Sequence, residues 1–438
     1  MAKIEITKTE LVWPGKYNED GTRKEVPRVN LPFQVIETIN ETRATREAAK
    51  KPKQSSLFDV WQAKEGDTFE EGWKNKLIWG DNKLVMSSLL EKFAGKIDLI
   101  YIDPPFATGA DFSFVTEIGE GGLEVAKDQS IIEEKAYRDT WGKGIDSYLH
   151  MMYERLLFMK DILAEYGSLY VHCDFRVNSH FRFLMDSIFG EKNYNNEIIW
   201  NYATGGASRE YYAQKHDNIL FYSNTPKYKF YPERVREART EKAMKRAQTP
   251  KGARISVEDE TKLPTDVWQI PALNPMAVER LGFPTQKPEE LLSKIILASS
   301  DENDLIADFF CGSGTTMAVA EKLGRRWIGC DLSRWAIHVT RKRLLGIENC
   351  KPFEVLNLGK YERKYWQGVT FGDKKKTDLQ LAIYQYLAFI LKLYGAEPLA
   401  GMQHLHGKKG KAVVHVGAVD APVTIDEINS CALFLNCQ

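Results

Sequence analysis

Five short apolar runs with a shared pattern constrain the fold of this chain most strongly. Each carries an acidic residue at or near its carboxyl end, and the five are residues 76–81, 98–103, 168–174, 304–310 and 327–331. Continuous apolar runs are typical of strands covered on both faces, so they predict a mainly parallel sheet. Apolar residues at three-to-four spacing predict helices at residues 82–93, 147–164, 178–189, 287–299, 315–323 and 333–345. The sequence therefore predicts an α/β fold with a doubly wound sheet.

Other parts of the chain differ from this core. Residues 197–202 and 218–223 flank a Gly-rich stretch and predict an antiparallel strand pair at the edge of the sheet. Residues 14–56 are rich in Pro, Lys, Arg and Glu without periodicity, which predicts an extended N-terminal arm. Beyond about residue 352, a strand-like run at 412–416 and a capping-box pattern at 424–427 predict an additional, incomplete module.

Composition limits the possible partners. The 438 residues include 60 basic and 60 acidic side chains, so any nucleic-acid surface must be a local patch. The six cysteines include no C-x-x-C pair, which favours reduced thiols in a cytoplasmic protein and gives no reason to expect a metal site. The most apolar stretch, residues 379–394, is interrupted by polar residues and predicts a buried helix rather than a membrane span.

The segment Asp103-Pro104-Pro105-Phe106 directly follows one predicted strand. Ligands of open parallel sheets bind beyond the carboxyl ends of the strands, so we expect the Asp103 carboxylate to face a pocket. The two prolines fix φ and lack N–H donors, which leaves stiff carbonyl groups beside the acid. A carboxylate, a rigid carbonyl and an aromatic ring together suit a planar group that bears an NH2. The alternative is an ordinary proline-rich turn.

A glycine-containing loop, Phe310-Cys311-Gly312-Ser313-Gly314, lies between a predicted strand and a predicted helix. This context is typical of nucleotide sites, and Asp331 lies 19 positions after Gly312, near the offset at which an acid meets ribose hydroxyls. A third glycine is absent because position 317 is Met, and no Gly-Lys-Ser/Thr follows. The loop therefore predicts an adenosine-type ligand without a pyrophosphate; the alternative is a turn without a ligand.

These motifs together resemble those of S-adenosylmethionine-dependent amino-methyltransferases that act on DNA. Residues 103–106 match the family's catalytic D-P-P-Y/F/W motif, and residues 310–314 match its F-x-G-x-G cofactor motif. Thr285-Gln286-Lys287-Pro288 resembles its T-Q-K-P segment, and Gly80-Asp81-Asn82 resembles the motif whose Asp approaches the cofactor adenine. The catalytic motif precedes the cofactor motif, which is the circularly permuted β-class order of a Rossmann-like methyltransferase fold. By pattern the chain resembles the modification subunits of type III restriction systems.

The resemblance implies S-adenosylmethionine as cofactor and assigns residues to it. The expected cofactor contacts are Asp81, Gln286, Lys287, Asp308, Phe310, Cys311, Gly312, Ser313, Gly314, Thr315 and Asp331. The expected catalytic residues are Asp103, Pro104, Pro105 and Phe106. Asp103 and the Pro104 carbonyl would accept the two amino hydrogens, while Phe106 would stack on a base that has left the duplex. A leading Asp favours adenine N6, because cytosine-N4 relatives of this motif order more often carry Ser.

The permuted order makes a prediction about strand neighbours. Phe310 lies 207 positions after Asp103, so the two motifs share a site only if their strands are adjacent. In a sheet of order 3-2-1-4-5, the first and fourth strands meet at the switch point. Taking residues 304–310 as the first strand, then 327–331, 77–81, 97–102 and 169–173 in turn, fills this order. The glycine loop and the Pro-Pro turn are then expected to lie side by side.

DNA contact is predicted mainly for residues 227–254, which carry ten Lys/Arg against three Glu together with aromatic residues. Basic side chains neutralise phosphates and planar groups stack or reach base edges. The alternative for this segment is a solvated helix. A second candidate is the loop of Gly205-Gly206 with Arg209, Tyr211 and Tyr212, which is expected to be mobile and to lie over the pocket; the alternative is a loop that only joins the edge strands. The predicted contacts are Arg209, Tyr211, Tyr212, Lys227, Arg234, Arg236, Arg239, Lys242, Lys245 and Arg246.

The predicted organisation has five parts. They are an N-terminal arm (1–60), the catalytic half of the methyltransferase domain (61–225), an inserted target-recognition region (226–265), the cofactor-binding half (266–350) and a C-terminal extension (351–438). The expected function is site-specific methylation of adenine N6 in double-stranded DNA within a restriction-modification or phage-defence system. We expect a cytoplasmic, nucleoid-associated homodimer with a restriction or helicase partner and no membrane association. The alternatives are cytosine-N4 methylation, a catalytically idle DNA-binding subunit, and an amino-methyltransferase that acts on RNA or protein.

Overall fold

The structure is a computed structural model. It describes residues 9–42, 44–45, 66, 68–69, 71–105, 114–118, 123–127, 144–202, 207–240, 244, 260–274, 276–359, 391, 396–399, 406–410 and 412–416. The strands are β1 (Gln34–Ile39), β2 (Asn75–Trp79), β3 (Ile97–Ile102), β4 (Phe114–Ile118), β5 (Leu123–Lys127), β6 (Leu163–Cys173), β7 (Tyr194–Asn201), β8 (His216–Ser223), β9 (Glu237–Ala238), β10 (Thr261–Lys262), β11 (Val267–Gln269), β12 (Leu305–Asp308), β13 (Arg326–Asp331), β14 (Phe353–Asn357), β15 (Glu397–Pro398), β16 (Gly407–Lys409) and β17 (Ala412–Val414). The α-helices are α1 (Asn82–Phe93), α2 (Ile145–Ile162), α3 (Asn178–Phe189), α4 (Glu289–Ser299), α5 (Thr315–Lys322) and α6 (Arg334–Leu345).

The central sheet has the strand order β1-β14-β2-β13-β12-β3-β6-β8-β7-β11. Its middle confirms the predicted 3-2-1-4-5 order, because β2, β13, β12, β3 and β6 are consecutive neighbours and pair in parallel. Ile306 pairs with Leu99 and Ala307 with Ile100, so β12 and β3 are adjacent although about 200 residues separate them in sequence. The switch point, where ligands of doubly wound sheets bind, lies between these two strands.

The antiparallel strand pair is also confirmed, but its predicted position at the edge is wrong, because the short strand β11 pairs in parallel with β7 and lies outside it. β8 runs antiparallel to both β6 and β7, with Ile198 opposite Ile219 in the β7–β8 register. Because β7 consequently runs in the same direction as β6, both strands end at one edge of the sheet. We call this the carboxyl edge, and β2, β3, β12 and β13 end there too. The opposite edge is the amino edge.

The sheet core is apolar on its inner strands, and the buried carboxyl group of Glu321, on α5, has hydrogen-bond partners from two strands. Leu99, Ile100 and Ile306 are fully buried. Trp327 Nε1 donates to Glu321 Oε2 at 2.8 Å, and Asn75 Nδ2 donates to the same oxygen at 3.1 Å. These donors matter because burial raises the pKa of Glu321, and a buried carboxyl group without partners would be costly.

The chain divides into two compact units. The first comprises Met1–Asn30, Val35–Ala110 and Asp139–Leu356 and contains the central sheet and the helices. The second comprises Leu31–Gln34, Asp111–Arg138 and Asn357–Gln438, and its described residues include the β4–β5 hairpin and the antiparallel sheet β15-β16-β17. Most of the predicted helix at 379–394 lies outside the described residues. Among the described helices, none is long and apolar enough to cross a membrane.

Candidate active site

Asp103 leaves β3 at the carboxyl edge, as predicted, and its carboxylate is already paired. Lys287 Nζ donates to Asp103 Oδ2 in an ion pair whose two side chains are only 12% and 16% exposed. Pro104 is buried and Pro105 half-buried beside it, whereas Phe106 lies outside the described residues. Lys287 was predicted at the cofactor, so the structure connects the two motifs directly through this side chain.

The glycine loop follows β12 on the neighbouring strand and requires glycine at its last position. Gly312 and Gly314 have φ angles of +50° and +74°, in the left-handed region that favours glycine. A Cβ on Gly314 would lie 2.5 Å from Thr340 Cγ2, so even alanine does not fit without a shift. Thr340 Oγ1 also donates to the Gly312 carbonyl at 3.0 Å. The turn is therefore held tightly by the helix α6 behind it.

Asp331 ends β13 and contacts the same loop. Its Oδ2 accepts a hydrogen bond from Gly312 N at 2.8 Å, and its Oδ1 accepts one from Ser333 N at 2.8 Å. These two bonds fix the orientation of the carboxylate beside the glycine loop, which is where the 19-residue spacing predicted an acidic group. Its contact with ribose hydroxyls stays a prediction.

Asp308, another predicted cofactor contact, lies beneath the loop. It is buried, and its two oxygens accept from Phe310 N at 2.9 Å and from Thr316 Oγ1 at 2.6 Å. Burial raises the pKa of Asp308 to about 7, with these two hydrogen bonds opposing the rise and the nearby carboxylates Asp103 and Asp331 adding to it. The geometry identifies Asp308 as a group that shapes the turn.

Two other predicted cofactor residues also make contacts within the protein. Thr315 Oγ1 donates to the Lys287 carbonyl at 3.2 Å and accepts from Arg343 Nη1 at 2.9 Å. Gln286 Nε2 donates to the Glu279 carbonyl at 2.6 Å, which ties down the loop before α4. The remaining loop residues lie in the turn itself, with Cys311 and Ser313 buried and Phe310 half-buried.

Asp81 caps α1 and lies in a buried polar cluster. Its Oδ1 accepts from Lys83 N at 2.7 Å and from Arg155 Nη2 at 3.3 Å. Arg155 Nε also donates to Asn82 Oδ1, and Asn82 Nδ2 donates to the Phe309 carbonyl at 2.9 Å. The cluster thus connects α1 and α2 to the strand end that precedes the glycine loop. Sequence reasoning missed Arg155, although a lone arginine in the apolar run around it was a possible signal.

An aromatic pair next to the glycine loop was also missed. The rings of Phe283 and Trp335 stack with centroids 4.5 Å apart and planes 10° from parallel. Phe283 Cε1 lies 3.4 Å from the position that a Gly312 Cβ would take. Trp335 follows Asp331 by four residues, and that spacing was the available sequence signal. Both rings are half-buried, so a planar ligand at the loop would find an apolar surface beside it.

The first part of the basic segment lies away from Asp103. Lys229 Nζ forms ion pairs with Asp304 at 2.5 Å and Asp98 at 3.4 Å, at the starts of β12 and β3, which places it at the amino edge. Arg234 pairs with Asp301 at 2.8 Å in the same region. Lys227 is exposed. It lies near the start of β6, since the Thr225 hydroxyl contacts the backbone carbonyls of both Lys227 and Glu165.

The rest of the segment adds no contact with Asp103 among the described residues. Arg236 Nη1 pairs with Glu233 at 2.9 Å, and Arg239 N donates to the Glu260 carbonyl at 2.9 Å beside the β9–β10 pair. Lys242, Lys245 and Arg246 lie outside the described residues. The structure does not bring the described basic residues to the catalytic motif, so their binding to DNA stays a prediction.

The second predicted DNA contact lies on the expected side. Residues 202–215, of which 203–206 lie outside the described residues, connect the end of β7 to the start of β8 at the carboxyl edge, where Asp103 lies. Tyr211 and Tyr212 are 68% and 99% exposed there, and Arg209 is exposed as well. Gly205 and Gly206 lie outside the described residues.

Comparisons with known proteins agree with these motifs. The family model described as N6_N4_Mtase, DNA methylase, matches residues 97–342. The type II methyltransferase M.EcaI of Enterobacter cloacae is 28% identical over 330 residues, covering 61% of this chain and 69% of that protein. The DNA adenine methyltransferase YhdJ of Escherichia coli (strain K12) is 28% identical over 271 residues, covering 61% and 82%. The EcoP15I Mod subunit, a type III restriction-modification enzyme of Escherichia coli, is 28% identical over 157 residues, covering 34% and 24%.

Proposed function

The chain belongs to the N6_N4_Mtase family of DNA methylases and is a methyltransferase that uses S-adenosylmethionine; we propose that its target is the N6 amino group of adenine in duplex DNA. The observation that carries this proposal is the pairing of β12 with β3, which puts the glycine loop beside Asp103 at the switch point. The similarity to the DNA adenine methyltransferase YhdJ supports adenine as the base.

The glycine loop fits an adenosine-type cofactor. Its left-handed glycines allow a close backbone approach, and the oriented carboxylate of Asp331 is suited to accept hydrogen bonds from ribose hydroxyls. The stacked Phe283 and Trp335 offer an apolar surface to an adenine ring. S-adenosylmethionine supplies an electrophilic methyl group when it is bound. We propose that these residues hold it, with Lys287 at the side that faces Asp103.

The proposed chemistry of the chain's own residues is hydrogen-bond acceptance. An exocyclic amine is a poor nucleophile because its lone pair is delocalised into the ring. Asp103 and the Pro104 carbonyl would accept the two amino hydrogens and favour a pyramidal nitrogen with an available lone pair. Since Lys287 Nζ occupies Asp103 Oδ2, the amine either uses Oδ1 or displaces the lysine. Pro105 stiffens the turn, and Phe106 would stack on the extruded base.

The direct test is expression in a bacterial strain without DNA methylation, followed by sequencing that detects modified bases. We expect N6-methyladenine at one short recognition sequence, and no modification from Asp103→Ala, which should still bind cofactor. N4-methylcytosine instead would overturn the assignment of adenine. Unmodified DNA from a folded, cofactor-binding wild type would overturn the proposed function, and a modifying Asp103→Ala variant would contradict the role of Asp103.

We further propose that the protein is the modification component of a restriction-modification system and works as a homodimer in the cytoplasm. Its similarity to the EcoP15I Mod subunit supports a restriction subunit as partner. Affinity purification from the native cell followed by mass spectrometry would test for that subunit, and light scattering would test for the dimer. A monomer that modifies DNA without any associated nuclease would contradict both.

A further inference from the structure

A rigid turn follows β6 at the carboxyl edge. Asp174 is buried, and its Oδ1 accepts a hydrogen bond from Arg176 N at 3.0 Å. The Asp174 carbonyl accepts from Val177 N at 3.3 Å and from Asn178 N at 3.1 Å, where α3 begins. The intervening residue, Phe175, is therefore presented on a backbone that is fixed on both sides.

The side chains of this turn are exposed. Phe175 is 51% exposed, and the Arg176 guanidinium carbon lies 5.3 Å from the centre of its ring. Arg176 Nη1 pairs with Asp174 Oδ2 at 3.3 Å, while 42% of the arginine side chain remains in contact with solvent. The exposed half of the Phe175 ring can bury apolar surface in a complex, and the rigid turn loses little backbone entropy when it does so.

The turn is a neighbour of the catalytic motif. β3 and β6 pair in parallel with Ile102 opposite Val171, so Pro104 and Asp174, each just beyond the end of its strand, lie at the same edge of the sheet. Neighbouring strands lie about 4.8 Å apart, and Phe175 follows immediately. Phe175 therefore stands at the rim of the site to which a target base must come.

We propose that Phe175 stacks on the bases next to the extruded adenine and that Arg176 contacts a backbone phosphate; this rests on the proposed methylation of duplex DNA. An extruded base leaves a gap in the stack, and apolar wedges between base steps are a known means of holding such openings. Tyr211 and Tyr212, exposed at the same edge, give the DNA further aromatic surface. The chemistry that recognises this partner is therefore stacking plus phosphate neutralisation.

The test compares Phe175→Ala with Phe183→Ala, because Phe183 is 47% exposed but lies within α3. The substrates are duplexes with the recognition sequence found by sequencing, with the target adenine either paired or mismatched. Since stacking on one base is typically worth about 1–3 kcal/mol, we expect Phe175→Ala to bind the paired duplex roughly 5- to 150-fold more weakly. The mismatched duplex should restore most of the loss, because its base leaves the stack more easily. Phe183→Ala should match the wild type.

Further measurements separate the possible failures. Arg176→Gln should reduce the slope of log affinity against log salt by about one. Phe175→Leu should remain folded, as measured by thermal melting, and should show the same difference between paired and mismatched duplexes as Phe175→Ala. Wild-type behaviour of Phe175→Ala on the paired duplex, or an equal defect on both duplexes, would overturn the inference while leaving methylation intact. A wild-type protein inactive on every duplex would instead overturn the proposed function.

Discussion

Replacing Gly314 by alanine should disrupt the glycine loop. The added Cβ would lie 2.5 Å from Thr340 Cγ2 and 2.6 Å from Thr340 Oγ1, on a backbone with φ of +74°. A left-handed conformation costs a non-glycine residue about 1–2 kcal/mol. Overpacking of a close-packed interior adds about 1–3 kcal/mol. The two effects together come to about 2–5 kcal/mol at the turn that opens α5.

Calorimetric titration with S-adenosylmethionine measures the consequence. The free variant can relieve this strain by moving the loop, and cofactor binding must then restore the original position. If the relieved strain is about 2 kcal/mol, cofactor affinity falls roughly 30-fold. Gly324→Ala is the matched control, because Gly324 has φ of +73° and its added Cβ would meet only Glu302 Cγ, at 3.9 Å. This control should lose about 1–2 kcal/mol of stability and bind cofactor like the wild type.

Thr340 provides a second check on the steric reasoning. Thr340→Ala removes the two closest atoms and leaves Thr340 Cβ at 2.9 Å from the added group, so the double variant with Gly314→Ala should recover part of the affinity. Thr340→Ala alone serves as reference, since it also loses the hydrogen bond to the Gly312 carbonyl. Unchanged affinity of Gly314→Ala, or equal losses in Gly314→Ala and Gly324→Ala, would refute the argument that this loop binds the cofactor through its tight turn.

Three other substitutions test the groups around the loop. Because burial raises the pKa of Asp308 to about 7, the folded state keeps a proton that the unfolded state has lost, and this contribution to stability disappears as pH rises from about 4 to 7. Asp308→Asn should flatten that decline, by up to about 4 kcal/mol, in denaturation series across this range; parallel profiles would contradict it. Asp331→Ala should weaken cofactor binding in calorimetry, and unchanged binding would count against the ribose assignment. Arg155→Met should cost about 3–5 kcal/mol in denaturant unfolding, because it leaves the Asp81 carboxylate buried without this partner; a loss below about 1 kcal/mol would show that water replaces it.

The strand order could be predicted because each strand carries its own signal. Apolar runs of the right length that end near an acid identify parallel strands, and the order of a doubly wound sheet follows from the requirement that the two motifs be neighbours. The 19-residue spacing likewise predicted Asp331 beside Gly312, because that length of chain is enough for the helix α5 and the strand β13 between them. The strand order was therefore predictable from local patterns, namely apolar runs that end near an acid and the spacing between motifs.

Pairings between distant charges could not be predicted in this way. Lys229 belongs to a segment with many basic residues, yet its ammonium group is held by Asp98 and Asp304, which begin two strands far away in sequence. Arg155 on α2 likewise pairs with Asp81 at the start of α1, which is distant in sequence. Local charge density shows that cations are present, but only the three-dimensional arrangement shows which of them acidic groups of the same protein already bind.

Lys287 is the clearest case of a connection that depends on the fold. Its carbonyl accepts a hydrogen bond from Thr315 at the start of α5, and its ammonium group pairs with Asp103 at the end of β3. One residue therefore contacts the helix that follows the glycine loop with its backbone and the predicted catalytic motif with its side chain. Since a close-packed interior transmits small displacements, we expect Gly314→Ala to displace Lys287 as well. Lys287 thus contacts both the predicted cofactor loop's helix and the predicted catalytic residue, although more than 180 residues separate Lys287 from Asp103.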